Sequence, residues 1–123
     1  MDATIHYEDA GQAATARSTA LRWLMTSEVL HGETIARQFG LTPTALDAVK
    51  DGAPLLVTGA RAAQIDRLVA TQSLLLDGYT SKRMAQWFRT PLAALDGRCA
   101  SDLLETTADG TSDMLEAAEA WMA

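Results

Sequence analysis

The stretch WFRTPLAALDGRCASDLL, Trp87 to Leu104, breaks the chain twice in quick succession, at Thr90-Pro91 and at Asp96-Gly97. Proline cannot sit inside a helix, because it lacks the N–H that a preceding carbonyl needs, and glycine readily adopts the left-handed backbone on which helices end. Between two such points only a very short helix fits. The spacing predicts Thr90 as its cap, Pro91 at its first helical position and PLAAL as its body, with Arg98 leading into a second short helix, ASDLLET. Two turns this tight let three helical segments fold back on one another within one small domain.

The same punctuation runs upstream. Residues 1–11, MDATIHYEDAG, are polar and without a sustained period, which predicts a flexible arm in which Ile5 and Tyr7 are the residues able to dock. From Gln12 to Leu30 the text is rich in Ala, Leu and Met, and Ala20, Leu21, Leu24 and Met25 fall on one helical face. Gly32 punctuates. Then ETIARQFG places Ile35, Ala36 and Phe39 on one face ahead of Gly40, and LTPTALDAVKDG opens on Thr42-Pro43, turns Leu46 and Val49 inward and stops at Gly52. The apolar LLVT after Pro54 has the composition of a strand, but a single strand has nothing to pair with, so it reads as a connection. Gly59 to Asp77 is the longest helix, with Ile65, Leu68, Val69, Leu75 and Leu76 apolar. Tyr79 to Arg89 carries Met84, Trp87 and Phe88 on one side. The expectation is an all-α chain forming one compact unit: an arm (1–11), a helix-turn-helix-like N-terminal half (12–58) and a small helical C-terminal half (59–123). With 123 residues, 48% of them apolar, the chain has enough material for a core.

Charge and motif content narrow the function classes. The formal net charge is −6, which gives no global attraction to nucleic acid or to an anionic membrane. The single Cys99 excludes an internal disulfide and fits a reducing compartment. Nothing resembles a transmembrane helix or a signal-peptide core, so a cytoplasmic location is expected. His6 and His31 are far apart in sequence and lie in no metal spacing. Cys99 and His31 form no catalytic pair, and no glycine-rich loop ends in Lys-Ser or Lys-Thr. No catalysis, metal or cofactor is expected.

Three segments carry the positive signals. In ETIARQFGLTPTALDAV, a helix, a short glycine-containing turn and a second helix have the spacing of a helix-turn-helix, in which the second helix enters the major groove. That helix offers Thr42, Thr44 and Lys50 to DNA, offset by Asp47 and Asp51, with Arg37 the nearest other cation. Residues 61–98 hold six basic and three acidic side chains, the only net-positive region, including Lys82, Arg83 and Arg89 of TSKRMAQWFR. The tail after Arg98 is the reverse: Asp102, Glu105, Asp109, Asp113, Glu116 and Glu119 have no basic companion. Its last segment, TSDMLEAAEAWMA, is amphipathic, with Met114, Leu115, Ala118, Trp121 and Met122 on adjoining strips, a cap at Thr111 or Ser112, and Asp113 suited to the helix N-terminus.

Trp87, Thr90-Pro91, Ala94-Leu95, Gly97-Arg98 and Asp102-Leu103-Leu104, followed by a helix led by Gly110, resemble the toxin-binding domain of the Xre/MbcA/ParS antitoxins. The family's N-terminal half is helix-turn-helix-like, which matches residues 28–52, so the resemblance runs from about residue 28 to the last helix. The chain departs from the family's usual text at Leu92, where Asn is common, at Cys99-Ala100, where Thr-Pro or Lys-Pro is common, and in a recognition helix poorer in Arg. The resemblance implies a non-catalytic antitoxin of a type II toxin–antitoxin system that dimerises. It would block the NAD pocket of a RES-domain toxin, and operator DNA would be a second partner through which it represses its own operon. With the motif it points to toxin-binding roles for Thr90, Pro91, Arg98 and Asp102, and with the amphipathic last helix for Leu115, Trp121 and Met122; the helix-turn-helix reading gives DNA-binding roles to Arg37, Thr42, Thr44 and Lys50. An acidic, Trp-tipped terminal helix is a suitable plug for a pocket that binds an anionic dinucleotide, and Arg98 is expected to reach back over PLAAL or to pair with Asp102. Two other classes remain open on the residues alone: a helix-turn-helix regulator without a toxin, and a dimeric interaction module with neither activity.

Overall fold

Helix ends in this chain are set by individual side chains. Asp9 Oδ1 accepts from Gln12 N at 2.7 Å and starts α1, Ala10–Thr26. Thr42 Oγ1 accepts from Ala45 N at 3.1 Å and, with Pro43 behind it, starts α3, Pro43–Lys50. Thr80 Oγ1 accepts from Arg83 N at 3.2 Å and starts α5, Ser81–Phe88. Each cap satisfies a first-turn N–H that has no intrahelical partner. The remaining helices are α2, Gly32–Phe39; α4, Gly59–Leu76; α6, Ala100–Thr106; and α7, Thr111–Met122; a 3-10 turn spans Ala93–Leu95. The structure, a computed structural model, describes residues 7, 9–107 and 109–123, and it is all-helical. Among the described residues the only β-type pairing is the isolated bridge between Leu92 and Arg98.

The long α4 is the organising element: α7 packs along it, and α1, α2 and α5 contact it as well. The core between them is built from Leu21, Leu24, Ile35, Phe39, Val49, Ile65, Leu68, Leu75, Met84, Phe88, Leu103 and Met114, all essentially sealed from solvent. Phe88 joins the halves of the core. Its ring lies 5.5 Å from Trp23 of α1 and 5.2 Å, edge-on, from Trp87. Polar ties fix the register. Arg17 holds Asp66 through two hydrogen bonds of 2.8 and 3.0 Å, and Gln72 Nε2 donates to Ala20 O at 3.1 Å, so α1 is pinned to α4 at two levels. The LLVT segment is a connection and not a strand; Leu55 N donates to Ala14 O at 3.0 Å and anchors it on α1.

Several expectations need correction. Ala10 and Gly11, expected in the arm of residues 1–11, belong to α1, and Tyr7 is docked, donating to Asp66 Oδ1 at 2.8 Å. Ile5 and the rest of the arm, residues 1–6 and 8, lie outside the described residues. The first helix stops at Thr26 and not at Leu30, because Glu28 takes a left-handed conformation with φ 58°. Thr90 does not cap the short helix. Its hydroxyl turns back to Gln86 O at 2.7 Å, and the 3-10 turn begins only after Leu92. Neither Thr111 nor Ser112 caps α7, whose cap position is Gly110. Leu76, one of the apolar residues of the long helix, is 49% exposed, and Leu46, expected to turn inward, is only partly buried.

Candidate functional site

The segment from α5 to α7 is shaped by two breaks, Thr90-Pro91 and Asp96-Gly97. Asp96 and Gly97 both adopt left-handed backbone, φ 56° and 81°, and reverse the chain. Leu92 N then donates to Arg98 O at 3.1 Å and Gly97 N to Leu92 O at 2.9 Å, closing a small loop around the buried Leu92 and Leu95. Asp102 faces the start of its own helix, where Oδ2 accepts from Cys99 N at 3.1 Å. Of the two contacts expected of Arg98, it makes the one over PLAAL and not the pair with Asp102. Its Nε reaches Leu95 O at 3.4 Å, so the guanidinium lies back over the turn and stays exposed. Cys99 Sγ donates to Arg89 O at 3.1 Å; burial, together with the nearby Asp102 carboxylate, pushes the thiol above its ordinary range, so it is held protonated.

The loop delivers Thr90 to a notch between α5 and α7. Its lining is Tyr79, Arg83, Gln86, Trp87, Thr90 and Trp121, its volume is ≈ 180 Å³, and no carboxylate among the described residues lines it. Trp121 Nε1 donates to the Tyr79 hydroxyl at 2.6 Å, which holds the indole against α5 while leaving it 50% exposed. The Arg83 guanidinium sits 5.2 Å from the Tyr79 ring centroid, a cation–π contact. Trp87 is 3% exposed, yet its Nε1 has no acceptor among the described residues. A buried donor left unpaired costs about 1–3 kcal/mol. Met122 packs partly against the core and over Gly78, where an added Cβ would come within 3.0 Å of its Cε. Leu115 is half-buried, and Pro91 is exposed.

The structure thus brings Thr90 and Trp121 together and places Met122 on the rim of the same end of α7. Arg98 belongs to the loop beside it, and Asp102 to the first turn of α6 that follows. The residues that sequence reasoning missed are Tyr79 and Gln86. Arg83 and Trp87 were noted in the sequence, but not as neighbours of Trp121. Lys82 and Arg89 continue the cationic side of α5, bordering an adjacent hollow with Ser27 and Ser81. Arg89 Nη2 donates to Ser27 O at 2.8 Å, and no carboxylate among the described residues forms an ion pair with Lys82, Arg83 or Arg89.

The base of α7 is held by a different network. Arg67 bonds Thr111 Oγ1 at 2.9 Å and Asp109 Oδ2 at 2.5 Å, and Thr111 Oγ1 donates to Asp109 Oδ1 at 2.6 Å. Partial burial would raise the Asp109 pKa, but the Thr111 hydroxyl and N–H together with Arg67 outweigh it and hold the carboxyl below its ordinary range.

In the N-terminal half, the α2–α3 connection passes through Gly40, φ 68°. Arg61 and Gln64 of α4 both donate to Gln38 O, at 3.0 and 2.9 Å, and Arg61 lies so close over Gly40 that a Cβ there would come within 2.6 Å of its Nε. Arg37, Thr42, Thr44 and Lys50 are all exposed on α2 and α3. Among the described residues no group of His, Cys, Asp and Glu is arranged to hold a metal ion, and no helix is long and apolar enough to cross a membrane. No family model matches this chain, and neither a curated protein nor a solved structure matches it.

Proposed function

We propose that this chain is an antitoxin that binds a RES-domain toxin through the end of the molecule formed by α5, the loop of residues 89–99 and α7, and that it blocks the toxin's NAD pocket. The single observation that carries the reading is Trp121. It is neither core nor free: half of the indole is covered at home and half is presented beside Thr90, in the part of the chain whose motif resembles the Xre/MbcA/ParS toxin-binding domain. A half-exposed Trp fixed by one hydrogen bond is already in position, so little side-chain freedom is lost on docking, and Trp is over-represented among residues that dominate binding energy. Thr90, Pro91, Arg98, Leu115 and Met122 would surround it, with Asp102 shaping the loop through its bond to Cys99. The test is co-expression with the protein encoded by the adjacent reading frame, followed by copurification. A stable complex with a RES-type protein is expected; its absence would remove the toxin from the account.

The second reading is operator binding. It is favoured by the exposure of Thr42, Thr44 and Lys50 along one short helix with Arg37 on the helix before it. With so few cations and a net charge of −6, a monomer would bind weakly, and a two-fold dimer that duplicates the phosphate contacts is the form expected to bind an operator.

A further inference from the structure

We infer that the notch between α5 and α7 is a receptor for one carboxylate side chain of a partner protein, an aspartate or glutamate that docks against Arg83 and Tyr79. This deepens the proposed function, resting on the reading that a protein docks on this face, and it names the chemistry the partner must present there. Three observations lead to it.

The first is an excess of donors. The Tyr79 oxygen already accepts from Trp121 Nε1 at 2.6 Å, so its own O–H is left to donate outward. The Arg83 guanidinium is held over the Tyr79 ring by its π-face and is in no ion pair with a described carboxylate. The Gln86 side chain is exposed on the same wall, and behind it the buried Trp87 N–H has no acceptor among the described residues. The second is the sign of the charge. In a chain of net charge −6, α5 carries Lys82 and Arg83, with Arg89 at its end, and no acidic residue. An anionic group would therefore meet a local field opposite to that of the whole molecule. The third is size. At ≈ 180 Å³ the notch lies below the ~300–1,000 Å³ typical of small-molecule sites and is on the scale of one side chain. A nucleic-acid backbone would also run alongside the acidic α7, whereas a single carboxylate on a protein surface need not. A bidentate guanidinium–carboxylate pair with a phenol donor beside it is the strong, directional form of such a contact.

The full-length ¹⁵N-labelled chain allows a direct test, because it has three indole N–H groups, Trp23, Trp87 and Trp121. The probes are N-acetyl-glutamate α-amide, with its side-chain carboxylate free, and N-acetyl-glutamine α-amide as the neutral isostere. A carboxylate bound by the Tyr79 O–H polarises the Tyr79–Trp121 hydrogen bond, so the Trp121 indole resonance should move saturably. A dissociation constant on the order of 1–10 mM suits a single charged pair. The Trp23 resonance, whose Nε1 donates to Ser81 Oγ at 2.7 Å, serves as the internal reference and should stay in place. Arg83→Gln should weaken binding at least tenfold, and Arg83→Lys should keep part of it; Arg83 is exposed, so both variants are expected to fold, checked by circular dichroism. An equal response to the glutamine compound, an unchanged response in Arg83→Gln, no saturable shift at all, or tighter binding of inorganic phosphate or a short single-stranded oligonucleotide at the same residues would overturn the inference. Copurification with the neighbouring protein tests the antitoxin reading separately: a complex that forms although the notch ignores glutamate overturns only the notch.

Discussion

Replacing Trp121 by Ala separates what the indole does for the fold from what it does for a partner. A covered Trp buries about 150–250 Å², and this one is 50% exposed. About half of that area is therefore buried at home and about half is left for a partner. At ~25 cal/mol/Å² each half corresponds to about 2–3 kcal/mol. The fold should lose about that much in urea denaturation, with a small addition for the exposed hydrogen bond to Tyr79, and it should survive, because Met114, Ala117 and Ala118 remain buried. Affinity for the proposed toxin partner should fall by the other half, roughly twenty- to 150-fold at ~1.4 kcal/mol per tenfold. Isothermal titration of the purified toxin with the wild-type and Trp121→Ala chains reads the second effect, and denaturation of the free chains reads the first. Trp121→Phe keeps most of the ring and loses only the N–H, so it should retain most of the affinity. Unchanged toxin affinity in a Trp121→Ala chain that is destabilised as expected would refute the reasoning, since the indole would then serve only its own fold. Removing residues 119–123 should act in the same direction and more strongly, because Met122 leaves as well.

Further outcomes follow from other sites. Gly97→Ala should cost about 1–2 kcal/mol by forcing a Cβ into a left-handed residue, φ 81°, although no atom lies within 4 Å of the added carbon; wild-type stability would show that the turn relaxes. Asp66 is held below its ordinary range: partial burial alone would raise it, but hydrogen bonds from Arg17 and Tyr7 prevail. Its contribution is therefore present above the unfolded carboxyl value and lost as pH falls through the depressed folded value, so Asp66→Asn should flatten the acid limb of a stability–pH curve; an unaltered acid limb would count against the Arg17–Asp66–Tyr7 cluster. Arg98→Ala should change stability by less than about 0.5 kcal/mol, because the exposed guanidinium has no ion pair with Asp102. If operator DNA is bound, Lys50→Ala should reduce the dependence of log K on log salt, and an unchanged slope would place the reading surface elsewhere.

What was legible in the sequence is what local chemistry decides. Thr42-Pro43, Gly40, Gly52 and Asp96-Gly97 mark helix ends or turns because capping and left-handed backbone depend on the residue itself. Glu28 was not legible as the end of α1, since glutamate is no ordinary left-handed residue; the turn there is closed by Val29 N and Leu30 N donating back to Leu24 O. Thr90 was misread because a hydroxyl can bond forward as a cap or back to the preceding turn, and here Gln86 O won. The candidate site was half visible. Periodicity put Trp121 and Leu76 on apolar strips, but it does not say how far a neighbouring helix extends beneath them. The pairings that build the notch and anchor the arm, Trp121 with Tyr79 and Arg17 with Asp66, span 42 and 49 residues and leave no local trace.

The most direct measurement of the central claim is an NAD-consumption assay on the purified protein encoded by the adjacent reading frame, the toxin of the proposal, with and without an equimolar amount of this chain. The account predicts near-complete inhibition that NAD relieves competitively, and weak inhibition by the chain carrying Trp121→Ala. NAD consumption unaffected by a bound chain, or full inhibition that survives loss of residues 119–123, would contradict it.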